Sequence, residues 1–395
     1  MTDGPQRRPR HIERCFSVAD LRTLARRKLP SPLFHYIDGG ADDEHSLRRN
    51  TAAFDRWAFI PELLHDVSAI RTETRLLGHT LSMPLLCAPT GMSRLFHRDG
   101  ERAVARAAER AGIYYSLSTL ATTSIEDIAA ASSGPKMFQV YVFKDRGLTT
   151  NLIERSRAAQ FTALCLTIDT PVAGNRERDR VTGMQLPPRF TLASLASFAA
   201  HPGWALDYVR DSDFSLRNVP LHADAMTGGQ QSLLDYVNGQ FDRTISWAEV
   251  DWLRGQWDGP LVIKGIQSLA DARRAADAGA SALMISNHGG RQLDSTLAPI
   301  ELVARIRDQL GAGIELIVDG GVRRGSHVLK ALALGADACS IGRSYLYGLA
   351  AGGEAGVSRA LDLLRAELER DMALLGVTDV ARMSSAHLEP IQSLA

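Results

Sequence analysis

The sequence predicts an α/β protein that folds as a (β/α)8 TIM barrel, with a helical N-terminal extension and a long insertion after the fourth strand. Short apolar runs rich in β-branched residues alternate with alanine-rich segments of helical spacing. Eight such runs occur in series, which is the number of strands that closes this barrel. The predicted strands are residues 84–90, 114–119, 137–142, 163–169, 261–265, 282–288, 314–321 and 338–343.

The strands and the segments between them have the composition of a parallel sheet covered by helices. The strands are apolar throughout and do not alternate between apolar and polar residues. Several helical segments end in Gly-Ala or Gly-Ile directly before the next strand, where glycine caps a helix in a left-handed conformation. The alternative, a doubly wound open sheet, would place GxGxxG after its first strand, and "APTGMSRLF" does not contain that pattern.

Three segments lie outside the repeating unit or interrupt it. Residues 1–83 are predicted to form the helical extension that packs on the barrel, with a helix in "SVADLRTLARRKLP" that begins after Ser17 as its N-cap. The barrel extends over 84–375, and residues 376–395 form a C-terminal tail.

The insertion covers residues 170–260 and contains four of the five tryptophans, Trp204, Trp247, Trp252 and Trp257. Insertions of this length usually cover the active face of a barrel or bind a partner. We therefore expect either a lid or a segment that contacts a membrane or another protein.

Composition and charge exclude several classes of protein. Lys+Arg and Asp+Glu are both 45, so the net charge is zero and nucleic-acid binding is not expected. The four cysteines include no CxxC pair, so we predict neither a disulfide framework nor a metal site. No apolar run reaches about 18 residues, and the N-terminus lacks the apolar core of a signal peptide, so we expect a cytoplasmic protein.

Polar residues follow the apolar part of every predicted strand. In a barrel of this kind the active site lies where the strands end, so these side chains are expected to meet at one mouth. They include Thr90, Ser118, Gln139, Tyr141, Thr167, Asp169, Lys264, Ser286, His288, Asp319 and Arg343.

Two glycine-containing motifs predict a phosphate site. "DGGVRRG" follows the seventh strand and "SIGR" the eighth, which is where barrels commonly bind phosphate. Glycine allows backbone N–H groups to approach an anion, and Arg323 and Arg343 can add charge-assisted hydrogen bonds.

The segment "SNHGGRQLD" predicts a catalytic base beside an anion-binding cation. His288 can act as a base at neutral pH, and Arg291 follows it by three residues across the Gly289–Gly290 turn. A base and a fixed cation suit a substrate with a hydroxyl to deprotonate and a carboxylate to hold.

This segment closely resembles the active-site motif of the FMN-dependent L-2-hydroxy acid dehydrogenase/oxidase family, which includes glycolate oxidase, lactate dehydrogenase and mandelate dehydrogenase. Further motifs in the family's order are "FHYIDGGADDE", "APTGM", "LSTLATTSIEDIA", "FQVYVFKDR", "LTIDTPVAGNRERD", "VIKGI", "DGGVRRG" and "ALALGADACSIGR". The resemblance covers nearly the whole chain and implies an FMN-binding TIM barrel. Other phosphate-binding barrels, such as the flavin-type isopentenyl isomerase, lack the His288–Arg291 pair with Arg176.

The resemblance implies roles around the substrate and in catalysis. They are a base, its carboxylate partner, two carboxylate-binding arginines, two substrate-binding phenols, and a lysine that stabilises the anionic reduced flavin. In that order these are His288, Asp169, Arg291 and Arg176, Tyr36 and Tyr141, and Lys264.

The resemblance also implies the contacts to FMN. Contacts to the flavin ring and ribityl chain are implied for Pro89, Thr90, Gly91, Ser118, Gln139, Thr167 and Ser286. The ribityl and phosphate site is implied for Asp319, Gly320, Gly321, Val322, Arg323, Gly342 and Arg343.

Substrate and acceptor follow from finer likenesses within the family. Gly91 resembles the dehydrogenases and favours a quinone acceptor over oxygen, whereas an oxidase that releases hydrogen peroxide is the alternative. Leu120, where plant-type glycolate oxidases have tryptophan, leaves room for a side chain; L-lactate or a related short-chain acid ranks first and (S)-mandelate second. "FAAHPGWALDYV" resembles the segment that attaches mandelate dehydrogenase to membranes, and the family implies a homotetramer, here peripheral at the inner face of the cell membrane.

Overall fold

The computed structural model describes residues 11–184, 190–210, 215–219, 239 and 241–391, and within them the predicted barrel is confirmed. Strands β4 to β11 are parallel, pair in chain order, and close through β11 and β4. The strands are β1 (Trp57–Phe59), β2 (Thr74–Leu76), β3 (His79–Leu81), β4 (Leu85–Thr90), β5 (Tyr114–Ser118), β6 (Lys136–Val140), β7 (Ala163–Thr167), β8 (Leu261–Ile266), β9 (Ala282–Ser286), β10 (Glu315–Asp319), β11 (Ala338–Ile341) and β12 (Leu388–Pro390).

Helices surround the barrel. The Ser17 hydroxyl accepts a hydrogen bond from the Asp20 amide at 3.2 Å, which confirms the predicted N-cap of the first helix. The helices are α1 (Val18–Lys28), α2 (Ser31–Asp38), α3 (His45–Ala52), α4 (Gly100–Arg110), α5 (Ile125–Ala131), α6 (Arg146–Ala158), α7 (Glu177–Thr182), α8 (Leu192–Ala199), α9 (Pro202–Arg210), α10 (Ala248–Gln256), α11 (Leu269–Asp277), α12 (Ile300–Leu310), α13 (Gly325–Ala333) and α14 (Arg343–Leu375).

The N-terminal extension contains the predicted helices and, in addition, short strands that were not predicted. β2 and β3 form an antiparallel hairpin, and Leu76 and Leu81 are fully buried in one cluster with barrel-interior side chains such as Tyr114 and Met284. The hairpin therefore closes the N-terminal end of the barrel. Strands of three residues are too short to produce a recognisable apolar pattern, so they were not predicted.

The segment after α14 is also more ordered than the predicted tail. β12 pairs antiparallel with β1, with Trp57 opposite Pro390, so the end of the chain is hydrogen-bonded to the extension. Residues 392–395 of the predicted tail lie outside the described residues.

Parts of the insertion lie near the C-terminal ends of the barrel strands. Helices α7, α8 and α9 come from its first half, and α10 leads back into β8. Residues 185–189, 211–214, 220–238 and 240 of the predicted lid or membrane segment lie outside the described residues.

Shortening a side chain of the closing hairpin should destabilise the fold. Because Leu81 is fully buried, Leu81→Ala is expected to lower the free energy of unfolding by about 2–5 kcal/mol. Thr80→Ala changes the exposed neighbour in the same strand and should alter the free energy of unfolding by less than about 0.5 kcal/mol. Urea unfolding followed by circular dichroism compares the two variants, and equal midpoints would show that the hairpin is not part of the core.

Candidate active site

A cavity of about 1380 Å³ opens at the C-terminal ends of the barrel strands and brings most of the predicted site residues together. Four further predicted residues neighbour the lining side chains: Gln139, Asp169 and Ser286 hydrogen-bond to Ser118, His288 and Lys264, and Thr167 lies opposite Lys264 in the strand register. The predicted residues that line it are Tyr36, Pro89, Thr90, Gly91, Ser118, Tyr141, Arg176, Lys264, His288, Arg291, Asp319, Gly320, Gly321, Val322, Arg323, Gly342 and Arg343.

The turn after β9 points His288 into the cavity. His288, Gly289 and Gly290 have φ angles of 57°, 65° and 73°, so three consecutive residues adopt the left-handed conformation. The Asn287 side chain holds this turn, because its Oδ1 accepts hydrogen bonds from the Gly290 amide at 3.1 Å and from Asn50 at 2.7 Å. The two glycines therefore form a fixed turn and not a flexible connection.

His288 and Asp169 form the predicted base and carboxylate pair. The His288 Nδ1 and the Asp169 Oδ1 are 3.0 Å apart; the Asp169 side chain is buried, and the partly exposed His288 ring lines the cavity. Burial lowers the pKa of the His288 imidazole, and Asp169 offsets this only in part. The ring therefore stays neutral to a lower pH than an ordinary histidine does. Burial opposes ionisation of Asp169, but His288 and Lys264 together keep the pKa of its carboxyl below the ordinary value. The free Nε2 of a neutral imidazole is the atom that can accept a proton.

Lys264, Ser286 and Asp319 form a buried cluster on neighbouring strands. The Lys264 Nζ lies 3.2 Å from the Asp319 carboxylate and donates to the Ser286 hydroxyl at 3.1 Å. The Ser286 hydroxyl in turn donates to Asp319 at 2.7 Å. Burial lowers the pKa of Lys264, but Asp319 and Asp169 outweigh it and keep the pKa raised, so the ammonium stays charged.

Two arginines face each other at the side of the cavity formed by the extension and the insertion. The guanidinium groups of Arg176 and Arg291 lie 5.5 and 5.0 Å from the centre of the Tyr36 ring. Arg291 donates to the backbone carbonyls of Tyr36 and Gly39 at 2.6 and 3.1 Å, which fixes its position. Burial and the repulsion of Arg176 lower the pKa of Arg291 to about 10, so an anion between the two arginines would be stabilised.

The predicted phosphate end is built from glycines and two half-buried arginines. Gly320 and Gly321 have φ angles of 139° and 79°, and a side chain at Gly321 would overlap the backbone of Asn50. Burial lowers the pKa of both Arg323 and Arg343. Arg343 donates to three backbone carbonyls, those of Ile37, Gly39 and Gly289, so it also braces the substrate end of the cavity.

The residues present fit a bound FMN. The Gln139 amide nitrogen and the Thr167 hydroxyl are buried without a partner among the residues that the structure describes, although buried polar groups of this kind are normally satisfied. Thr167 lies opposite Lys264 in the register of β7 and β8, and Gln139 lies on the next strand, β6, where its Oε1 accepts a hydrogen bond from the cavity residue Ser118. Carbonyl and nitrogen atoms of a flavin ring would satisfy them, and the glycines and Arg323 would hold its phosphate.

Comparison with known proteins identifies the family. A family model described as FMN-dependent dehydrogenase matches residues 25–390. This chain belongs to the FMN-dependent dehydrogenases. The earlier resemblance and the prediction of FMN are thereby confirmed. When bound in such a dehydrogenase, FMN supplies a two-electron acceptor beside the substrate.

Individual relatives of this FMN-dependent dehydrogenase are similar over almost their whole length. The putative L-lactate dehydrogenase of Mycobacterium tuberculosis (strain ATCC 25618 / H37Rv) is 41% identical over 98% of this chain and 92% of that protein. The L-lactate dehydrogenase of Pseudomonas aeruginosa (strain LESB58) is 41% identical over 93% of this chain and 97% of that protein. Among solved structures, the monotopic membrane protein (S)-mandelate dehydrogenase has a TM-score of 0.91 and 38% identity, covering 96% of this chain and 100% of that one.

Some residues of the site were not predicted from the sequence. Asn50 anchors the His288 turn, and Gln292 donates to the Asp169 and Val172 carbonyls, both at 2.9 Å. Asp179 lies beside Arg176, and Phe241 packs on Tyr141 with ring centres 4.7 Å apart. Gln292 and Asp179 stood inside motifs already singled out, although no role was predicted for either; Asn50 and Phe241 are brought to the site by tertiary folding.

Removing the Asp169 charge should slow proton transfer and change its pH dependence. Asp169→Asn is expected to reduce the rate of substrate oxidation roughly 10²–10⁴-fold, because the imidazolium that forms loses its partner. Since Asp169 raises the pKa of His288, its loss lowers that pKa further, and the acid limb of kcat/KM moves to lower pH.

Anaerobic stopped-flow measurement of flavin reduction across pH checks this prediction. Asp127→Asn is the control, because Asp127 forms a surface ion pair with Arg102. An Asp169→Asn variant with the wild-type rate and pH profile would remove Asp169 from the proton-transfer pair.

Proposed function

We propose that this FMN-dependent dehydrogenase oxidises an L-2-hydroxy acid, with L-lactate or a related short-chain acid first, to the 2-oxo acid. The observation that carries the proposal is the arrangement of a neutral base, His288, and two guanidinium groups, Arg176 and Arg291, around one cavity. The arginines hold the carboxylate, and His288 takes the hydroxyl proton. Tyr36 and Tyr141, which line the same cavity, orient the substrate.

The L-lactate dehydrogenase relatives support a short-chain substrate. Leu120 lines the cavity and leaves room for a substrate side chain larger than hydrogen. (S)-Mandelate is the second candidate, because the cavity is large and its wall includes apolar side chains such as Leu95 and Phe96. The likeness to the mandelate dehydrogenase structure supports this alternative.

A quinone-type molecule is the proposed electron acceptor. Gly91 is packed tightly, because a side chain there would lie 3.0 Å from the Leu120 carbonyl oxygen and 3.1 Å from its Cβ. The packing thus favours a glycine at this position, which is the residue that the family resemblance implies for dehydrogenases. Phe198 and Trp204 of the insertion also line the cavity and give an apolar acceptor a compatible surface.

Helices α8 and α9 are proposed to contact the inner face of the cell membrane. Leu192 and Val209 are 86% and 70% exposed, and Leu195 and Leu206 are half exposed. Such a group of exposed apolar side chains on neighbouring helices is typical of an interaction surface. We also propose a homotetramer, as the family resemblance implies.

No helix in the described part of the chain combines the length and the apolar character needed to cross a bilayer.

The proposed reaction predicts a visible change of the purified protein. The protein should be yellow and should bleach anaerobically when L-lactate or (S)-mandelate is added, and the relative rates of bleaching rank the two candidates.

His288→Ala should retain FMN but lose most turnover, because the base is gone. Absence of bleaching with every 2-hydroxy acid would overturn the proposal, and unimpaired bleaching of His288→Ala would remove His288 as the base. Faster reoxidation by a quinone analogue than by air identifies the acceptor.

The proposed membrane contact predicts a loss of binding when charge is introduced. Leu192→Glu combined with Leu206→Glu should abolish co-sedimentation with liposomes, because each buried carboxylate opposes insertion of the apolar face. Leu374→Glu changes an equally exposed leucine on α14 and should bind like the wild type. All three proteins should contain FMN, and liposome binding that survives the double substitution would contradict the proposed contact.

A further inference from the structure

An acidic side chain lies inside the carboxylate-binding end of the cavity. Asp179 is buried, lines the cavity, and follows Arg176 by three residues on α7. Its Oδ2 is 3.5 Å from the Arg176 Nε. Burial keeps the pKa of Asp179 above its ordinary value, although Arg176 and Arg291 both act to lower it, so both arginines lie within its electrostatic reach. A carboxylate at the place where a substrate carboxylate must bind is costly unless its charge has a use.

The charged side chains at the carboxylate-binding end of the cavity have a small net positive charge. Arg176 and Arg291 contribute two positive charges and Asp179 one negative charge, which leaves a net charge of +1. A single substrate carboxylate neutralises this charge. A second carboxylate on the same substrate would bring an excess negative charge into a buried region that already contains Asp179.

We propose that Asp179 restricts the substrate to 2-hydroxy acids with one carboxylate, by orienting Arg176 and by repelling a second negative charge. The inference rests on the proposed oxidation of 2-hydroxy acids and adds the substrate class. Asp179 is a positioning and specificity residue, because it acts through Arg176 and through its charge.

The other Lys and Arg side chains that line the cavity have different partners or lie in a different part of it. Lys264 is paired with Asp319 at 3.2 Å, and Arg343 donates to three backbone carbonyls. Arg323 stands at the predicted phosphate end. Arg180 lines the rim but is exposed, so solvent screens its charge. None of these four offers a second carboxylate the close, buried partner that Arg176 and Arg291 offer the first.

Three substrates separate charge from size. L-Lactate is the reference, L-2-hydroxybutyrate adds length without charge, and L-malate adds a carboxylate at similar length. Asp179→Asn should raise the kcat/KM ratio of malate to 2-hydroxybutyrate. The expected rise is roughly tenfold to a hundredfold, the effect of removing one like charge at an effective dielectric constant of about 20. Where malate turnover is below detection, its inhibition constant against L-lactate replaces kcat/KM.

Two further variants act as controls. Asp179→Glu keeps the charge and should keep the wild-type ratio. Glu177→Gln removes a negative charge on the exposed side of α7, two residues before Asp179, and the kcat/KM ratio of malate to 2-hydroxybutyrate should stay unchanged. Asp179→Ser is a second neutral variant, used if Asp179→Asn does not fold with FMN.

The outcomes are distinguishable. A purely structural role would lower kcat/KM for all three substrates and leave the ratio constant, which would overturn the inference. A ratio that rises equally in Glu177→Gln would also overturn it, because the effect would then be general charge. If the wild type oxidises none of the three acids, the proposed function itself fails, whereas an unchanged ratio in an active enzyme refutes only the role of Asp179.

Discussion

The left-handed turn of His288, Gly289 and Gly290 connects the catalytic base with Arg291 and directs both toward the cavity. A left-handed conformation at a residue other than glycine costs about 1–3 kcal/mol, so His288 needs support from its surroundings. That support comes from Asn287, whose side chain exchanges two hydrogen bonds with Asn50 of α3. A side chain at Gly290 would lie 2.5 Å from the backbone nitrogen of Leu47, so close packing of α3 requires glycine there. The extension and the barrel thus form one site.

Buried charges in the cavity are placed so that each has a partner or a task. Asp169 pairs with His288, Asp319 pairs with Lys264, and Asp179 pairs with Arg176. Arg291, like Arg343, instead donates to neutral backbone carbonyls, and burial and Arg176 lower the pKa of Arg291 to about 10. A bound carboxylate would relieve this repulsion. Binding and proton transfer are therefore linked through one electrostatic arrangement in which the substrate supplies the missing charge.

The insertion after β7 has two surfaces with different tasks. Phe198 and Trp204 face the cavity, where they exclude water from the reacting groups. Leu192 and Leu206, on the same two helices, face solvent. An apolar acceptor that moves from a membrane to the flavin would meet apolar side chains along the whole path. One segment of the chain can in this way connect the proposed membrane contact with the proposed electron transfer.

The sequence by itself determined the barrel and most of the site, because both depend on local patterns. A βα unit repeats within about 30–40 residues, and side chains such as Lys264, His288 and Arg323 stand directly at strand ends, where the fold class implies a common mouth. The hairpin β2–β3, the pairing of β1 with β12, Asn50 and Asp179 were decided only by the tertiary structure. Their partners are distant in the chain, as in the pairing of Asn50 with Asn287, or depend on which side of a short helix is buried, as for Asp179. Periodicity identifies an apolar face, but the burial of a particular polar group follows from packing between segments that the sequence does not place side by side.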